Sequence, residues 1–307
     1  MLDVLTGFAV IAVAIFVGWV AGRSGVLGPH ARYVLSRLAF SVLGPFLLFS
    51  VLSSADVGAL FSVLLPVSFI AAVAMFVVFA LIAMLVWRRP LAQTVIGGMG
   101  AGYVNGNNIG IPIAVYMLGD AAFSAPVVLL QLLLFMPAAL SVLDVVVRGG
   151  ASVWRTVLKA LANPIIIGSL LGVLVSVTGV QLPAIVTEPI ALVGQAAVPI
   201  MLIAYGISLH GQRPLAPGSG RRDVVLASVL KLVAMPLVAW AVGRFAFGLD
   251  GHTLYAVTVL AALPSAQNVF TIAQRYDTAE IIARDTVLIT TVGAVPVLFL
   301  VSLLLGV

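Results

Sequence analysis

The sequence predicts an all-α integral membrane protein. Ten transmembrane helices form two inverted five-helix repeats, 1–150 and 151–307, with the fourth and ninth helices broken and crossing at the midplane. Three observations lead there. First, 63% of the 307 residues are apolar and only 8% are charged, against about a quarter in soluble domains. Second, the apolar runs are long enough for helical spans, which need about 20 residues. They are too long, and too poor in polar alternation, to be barrel strands. Third, the fourth run of each half carries helix breakers and amide side chains near its middle.

The same composition excludes other classes. A soluble enzyme and a disordered chain are both incompatible with so little charge. The chain has no cysteine, so disulfide scaffolding and thiol or Cys-zinc chemistry are absent. The net charge is +5, but the basic residues stand singly or in twos between apolar runs. That is a pattern of membrane topology and not of nucleic-acid binding.

In the first half the segments are 3–22, 32–53, 58–87, 92–118 and 122–147. The first begins with Asp3 and no basic residue, the wrong charge for a signal peptide, so it is expected to be a retained span. The second starts at Arg32 and the third closes at Trp87, before Arg88 and Arg89. The fourth reads LAQTVIGGMGAGYVNGNNIGIPIAVYML and holds Asn105, Gly106, Asn107, Asn108, Gly110 and Pro112. The fifth carries Gln131 at mid-span and Asp144 four residues before Arg148. The halves would join through the short linker 148–154.

In the second half the segments are 155–178, 184–209, 222–248, 252–275 and 281–305. The seventh has Glu188-Pro189 near its outer end, either a gate or a solvated helix end. The eighth contains Lys231, the one basic residue deep in a span. The ninth reads HTLYAVTVLAALPSAQNVFTIAQ, with Pro264, Ser265, Gln267 and Asn268 in its middle. The tenth holds Thr290 and Thr291 at mid-span and Arg284-Asp285 at its edge.

Charge sets the orientation. Of 15 basic residues, 13 lie on one side: Arg23, Arg32, Arg37, Arg88, Arg89, Arg148, Arg155, Lys159, Arg213, Arg221, Arg222, Arg275 and Arg284. Lys and Arg are retained on the cytoplasmic side. The protein is therefore expected in the plasma (inner) membrane with both termini outside the cytoplasm. Trp19, Trp87 and Trp154 would anchor cytoplasmic span ends, and Trp240 an outer one.

Because each half has five spans, the second must run inverted relative to the first. Proline removes a backbone donor, and glycine lowers the cost of non-helical backbone. Three asparagines within four residues at mid-bilayer depth need partners. Two discontinuous helices would then meet at the midplane, where freed carbonyls and amides line a cavity and half-helix N-termini turn positive dipoles into it. Such a place suits an anion, above all a carboxylate. The bland alternative is interhelical hydrogen bonding and simple kinking.

GYVNGNNIGIPIAVYMLGD (102–120) resembles the fourth-span motif of the auxin efflux carrier family. RYVLSRLAFSVLGPFLLF (32–49), ANPIIIGSLLGVLVSVTGVQLP (162–183), AAVPIMLIAYGISL (196–209), KLVAMP (231–236) and ALPSAQNVFTIAQRY (262–276) are similar to its second, sixth, seventh, eighth and ninth spans, in order. The resemblance implies the fold of bile-acid sodium symporters. Spans 1, 2, 6 and 7 would form a scaffold, and spans 3–5 and 8–10 a mobile transport domain, with Pro112 and Pro264 at the crossing. It also implies transport of organic anions, such as indole-acetate in plants and malate- or malonate-like acids in bacteria. The long cytoplasmic loop of the longest plant members has no counterpart in the short central linker here.

The expected ligands of a small organic anion are Asn105, Asn107, Asn108, Pro112, Pro264, Ser265, Gln267, Asn268 and Lys231, with Gln131 and Thr290 secondary. Lys231 has two readings: a charge partner or proton-linked group at the site, or a side chain that snorkels to the interface. Gln131, Thr290 and Thr291 either face the crossing or join helices. Asp144 and Asp285 would form edge pairs with Arg148 and Arg284, or serve coupling. No acid lies at the centre of a span, so H+ or Na+ coupling, or none, stays open. No cofactor and no nucleic-acid partner are expected. The lipid bilayer surrounds the chain, and a homodimer through the scaffold is implied by resemblance.

An enzyme is the rival of another class. His30, His210 and His252 lie far apart in links. No His-Glu-x-x-His pair, paired intramembrane acids or phosphate-binding loop is present. The alternative within transport is an anion channel or sensor using the same cavity; counterflow separates it from a carrier.

Overall fold

The computed structural model describes residues 2–55, 57–148, 162, 164–210 and 220–306. Several expectations fall outside them: the linker beyond Arg148, Trp154, Arg155, Lys159, Asn163 and Arg213, together with the side chain of Arg148 and its pairing with Asp144.

The described residues are almost all helical. Among the described residues extended pairing is limited to one isolated antiparallel bridge, Val104 with Ser265. An apolar chain of this kind satisfies its backbone locally, because lipid offers no hydrogen bonds. In order the helices are α1 (Leu2–Ser24), α2 (Ala31–Ser54), α3 (Val63–Val86), α4 (Leu91–Gly102), α5 (106–118), α6 (Ala121–Val147), α7 (Pro164–Thr178), α8 (Ala184–Ile207), α9 (Arg221–Ala246), α10 (Gly251–Ala261), α11 (Gln267–Arg275) and α12 (Glu280–Leu305). Six of them, α2, α3, α6, α8, α9 and α12, are long and apolar enough to cross a membrane. Large apolar side chains remain open on the surface, among them Ile185, Phe245 and Val177, as a lipid-facing surface requires.

Prolines shape several of these helices. Pro45, Pro112, Pro137 and Pro236 each follow a stretch in which the helical turn widens, at 39–43, 106–110, 131–135 and 230–234. In three of them the amide just before the proline reaches the carbonyl five residues back: Gly44 to Ala39, Met136 to Gln131 and Met235 to Leu230. Proline lacks the N–H and crowds the carbonyl four residues back, so a widened turn relieves the helix without ending it. Gln131 and Lys231 both lie in such turns.

The chain divides into two compact units. The first comprises Met1–Ser62, Gly106–Leu129 and Lys159–Gln212. In it α1 packs on the second half of α8, and α7 on α2. Glycine makes the close approach possible: a Cβ on Gly206 would collide with the Ile15 carbonyl, and one on Gly168 with the Pro45 backbone. The segments 106–110 and 111–113 of α5 also pack on α8.

The second unit comprises Val63–Asn105, Leu130–Leu158 and Arg213–Val307. Here α4 is the hub, touching α6, α9, α11 and α12. Its IGGMGAG run is buried from Ile96 to Gly102. A Cβ on Gly97 would enter the ring of Phe79, itself 1% exposed. At the start of α4, Arg89 grips Asp223 of α9 with two bonds, at 2.7 and 3.2 Å, and Gln93 adds a third at 3.3 Å.

Candidate functional site

Helix α4 ends at Gly102, and Tyr103 is extended. Helix α10 ends at Ala261, and α11 begins at Gln267. The two non-helical stretches, 103–105 and 264–266, lie antiparallel inside the second unit. The Asn105 amide donates to the Pro264 carbonyl at 2.7 Å, and the Ala266 amide donates to the Tyr103 carbonyl at 3.0 Å. Proline explains where the helix yields: Pro264 has no N–H for the Leu260 carbonyl, and its own carbonyl is free to take a new partner.

Side chains complete the join. The Ser265 hydroxyl donates to the Gly100 carbonyl. The Ser265 amide donates to Thr290 Oγ1 at 3.1 Å, and that hydroxyl donates to the Thr286 carbonyl at 2.7 Å. A Cβ on Gly100 would lie 3.2 Å from Thr286 Cγ2, so glycine lets α4 come this close to α12. Lys231 of α9 is fully buried; its ammonium donates to the Ala261 carbonyl at 2.8 Å and to the Met235 sulfur at 2.8 Å. It does not snorkel.

Exposure follows one pattern in both segments. Residues 101–106 are buried, Asn107 and Asn108 are half-buried, and Ile109 is buried again. Residues 261–266 are buried, Gln267 and Asn268 are half-buried, and Val269 is buried again. Each segment thus leaves one pair of amide side chains open at the start of a helical piece. Asn107 Nδ2 donates to Asn108 Oδ1 at 3.0 Å, and Asn268 hydrogen-bonds the Tyr103 hydroxyl.

Of the residues expected at a site, Asn105, Pro264, Ser265, Gln267, Asn268, Lys231 and Thr290 meet in or beside this join in the second unit. Asn107, Asn108 and Pro112 belong to the first unit, directly after Asn105 in the chain, with Pro112 buried. Gln131 is buried in the second unit, and its Oε1 has no partner. Thr291 Oγ1 is likewise buried and unpartnered. The edge acids resolve individually. Arg284 pairs with the fully buried Asp285 at 2.8 Å. Asp144 accepts the Tyr276 hydroxyl at 2.6 Å. Glu188 is exposed. Tyr103, and the Arg89–Asp223 clamp, escaped the sequence reading; Tyr103 at least adjoins the asparagine run, whereas nothing local marks a pair 134 residues apart. Among the described residues no group of three or more His, Cys, Asp or Glu could hold a metal ion.

An apolar helical chain whose two non-helical stretches pair at buried amides has the make-up of a transporter, and the sequence match decides the family. Residues 3–143 and 151–302 match the family described as membrane transport protein. The chain belongs to this family, that of the auxin efflux carriers. It is 28% identical over 232 residues to a Rhizobium meliloti (strain 1021) protein named "Putative malonate transporter", covering 72% of this chain and 71% of that one. It is 31% identical over 160 residues to "Probable auxin efflux carrier component 5b" of Oryza sativa subsp. japonica, covering 50% of this chain and 42% of that one. A second rice relative, "Probable auxin efflux carrier component 1b", is 30% identical over 159 residues, covering 50% of this chain and 28% of that one. The chain therefore spans less than half the length of these two rice relatives. As a member of the membrane transport protein family it is an integral membrane protein whose relatives carry organic anions in their names.

Proposed function

We propose that this protein is a secondary carrier of a small carboxylate, working by alternating access. One observation carries the reading: two non-helical stretches pair back to back, and each leaves a half-buried amide pair where a helical piece begins. Amide N–H donors at helix starts suit a carboxylate, which accepts several bonds at once. In the second unit Gln267 and Asn268 supply the donors, with Asn105 close behind, and Pro264 keeps the backbone open there; Pro112, expected at the crossing, lies inside the helical piece 106–118. Thr290 supports Ser265, and Gln131, buried in the second unit, has a spare oxygen.

In this reading the segments 92–118 and 252–275 are broken spans of an inverted ten-helix repeat. The first unit holds α1, α2, α7 and α8, the helices expected in the scaffold, but also α5 and the start of α6, which were expected in the transport domain; the second holds α3, α4, α9, α10, α11 and α12 with the later part of α6. Alternating access would expose the amides to each side of the membrane in turn. The name of the Rhizobium relative supports a malonate-like dicarboxylate over other anions.

The test is counterflow in proteoliposomes with no pH or sodium gradient. Vesicles are loaded with unlabelled malonate, malate or indole-acetate, and the labelled acid is added outside. Transient accumulation of one acid establishes the carrier. Linear, non-saturating flux without accumulation would instead identify a channel.

A further inference from the structure

We propose that Lys231 is a positioning residue: its ammonium caps the C-terminal end of α10 and so fixes the stretch that leads to the amides of α11. The case begins with the backbone of α10. In an unbroken helix the Ala261 carbonyl would receive the Ser265 amide, four residues on. That amide goes to Thr290 Oγ1 instead. The Ala266 amide, which the Ala262 carbonyl would receive, goes to Tyr103. Ala261 is therefore a helix-end carbonyl with its normal donor diverted, at the negative end of the helix dipole. Lys231 Nζ lies 2.8 Å from that oxygen.

The opposite side of the join has the same problem and a parallel solution. The Gly100 carbonyl would receive the Val104 amide, but α4 has ended, and the Ser265 hydroxyl takes its place. Thus each helix that ends at the join has a carbonyl near its end capped by a side chain from elsewhere in the unit. Lys231 is held for this task. It sits in a widened turn of α9 before Pro236, it is fully buried, and the Met235 sulfur takes a second donor. A buried ammonium without acceptors is costly, so these bonds oppose any swing of the side chain toward a ligand. Its contribution to an anion is then indirect, through the geometry of Gln267 and Asn268.

Two measurements decide between this and a direct ligand. The first is hydrogen exchange of the purified full chain, wild type against Lys231→Met, followed by mass spectrometry. Amides in 262–276 are expected to exchange about tenfold faster in the variant while α4 and α12 peptides stay as in wild type. Unchanged exchange in 262–276 overturns the cap. Should Lys231→Met fail to fold, Lys231→Gln keeps an apolar stem and a donor of shorter reach. Faster exchange confined to 262–276 supports the cap, and wild-type exchange there overturns it. The second measurement rests on the transport reading above: malonate counterflow at varied concentration. A positioning role lowers the maximal rate about tenfold with KM within about twofold, whereas a charge partner of the carboxylate raises KM about tenfold at an unchanged rate and overturns the proposal. Absence of counterflow in the wild type would sink the transport reading and leave the exchange result to decide the cap.

Discussion

The backbone amide of Asn105 donates to the carbonyl of Pro264 at 2.7 Å, joining two stretches from opposite halves of the chain. The pair is antiparallel and only a few residues long, closed by the return bond from Ala266 to Tyr103. Buried backbone groups outside a helix need such partners. Each stretch therefore satisfies the other, and the amide side chains that follow are half-buried.

Those amides should decide transport. Asn268→Ala removes a side chain that bonds the Tyr103 hydroxyl and opens to the surface of the join. Hydrogen bonds to a charged group are worth about 1.5–3 kcal/mol, so uptake should fall by roughly ten- to a hundredfold while expression and melting stay near wild type. Asn108→Ala should behave the same. Wild-type uptake in both variants would remove these residues from the site.

The Arg89–Asp223 clamp should support the second unit. Asp223 is fully buried and takes bonds from Arg89 and Gln93. Asp223→Asn keeps the shape but loses the charge that the guanidinium faces. A cost of about 1–3 kcal/mol is expected, less than for a fully buried pair because Arg89 is partly exposed. Thermal melting in detergent measures it, and Arg89→Lys, which loses the fork but keeps the charge, should cost less.

Helix packing in the first unit should depend on Gly206. A Cβ there would press on the Ile15 carbonyl and on the Gly18 backbone, neither of which can rotate away. Gly206→Ala should lower stability by about 1–3 kcal/mol. An unchanged melting temperature would mean that α1 and α8 separate at little cost.

Orientation can be read chemically because the chain has no cysteine. His30 and Gln181 are both exposed. From the charge distribution His30 is expected in a cytoplasmic link and Gln181 in an outer one. In intact cells an impermeant maleimide should label Gln181→Cys and leave His30→Cys unlabelled until the membrane is opened. The reverse pattern would invert the topology.

The tie between Tyr276 and Asp144 gives a further test. The hydroxyl donates at 2.6 Å and holds the end of α11 to α6. Tyr276→Phe should cost about 1–2 kcal/mol in melting, since a bond to a carboxylate is lost and an acceptor is left without it.

What the sequence determined by itself is the membrane class, the helical content, the family and the residues that strain a helix. All of these are local signals. Hydropathy is summed over a window, and proline, glycine and asparagine act on their own backbone, so Asn105, Pro112, Pro264 and Asn268 announce themselves in one dimension. Only the tertiary structure decided which groups those breaks would meet. Ser265 reaches the Gly100 carbonyl 165 residues away, and Asp223 reaches Arg89 134 residues away. Lys231 turned inward to Ala261 where an apolar stem could equally have carried it to the interface. The physical reason is that a diverted amide leaves a carbonyl in need of any donor within reach, and reach is set by how helices distant in the chain pack together.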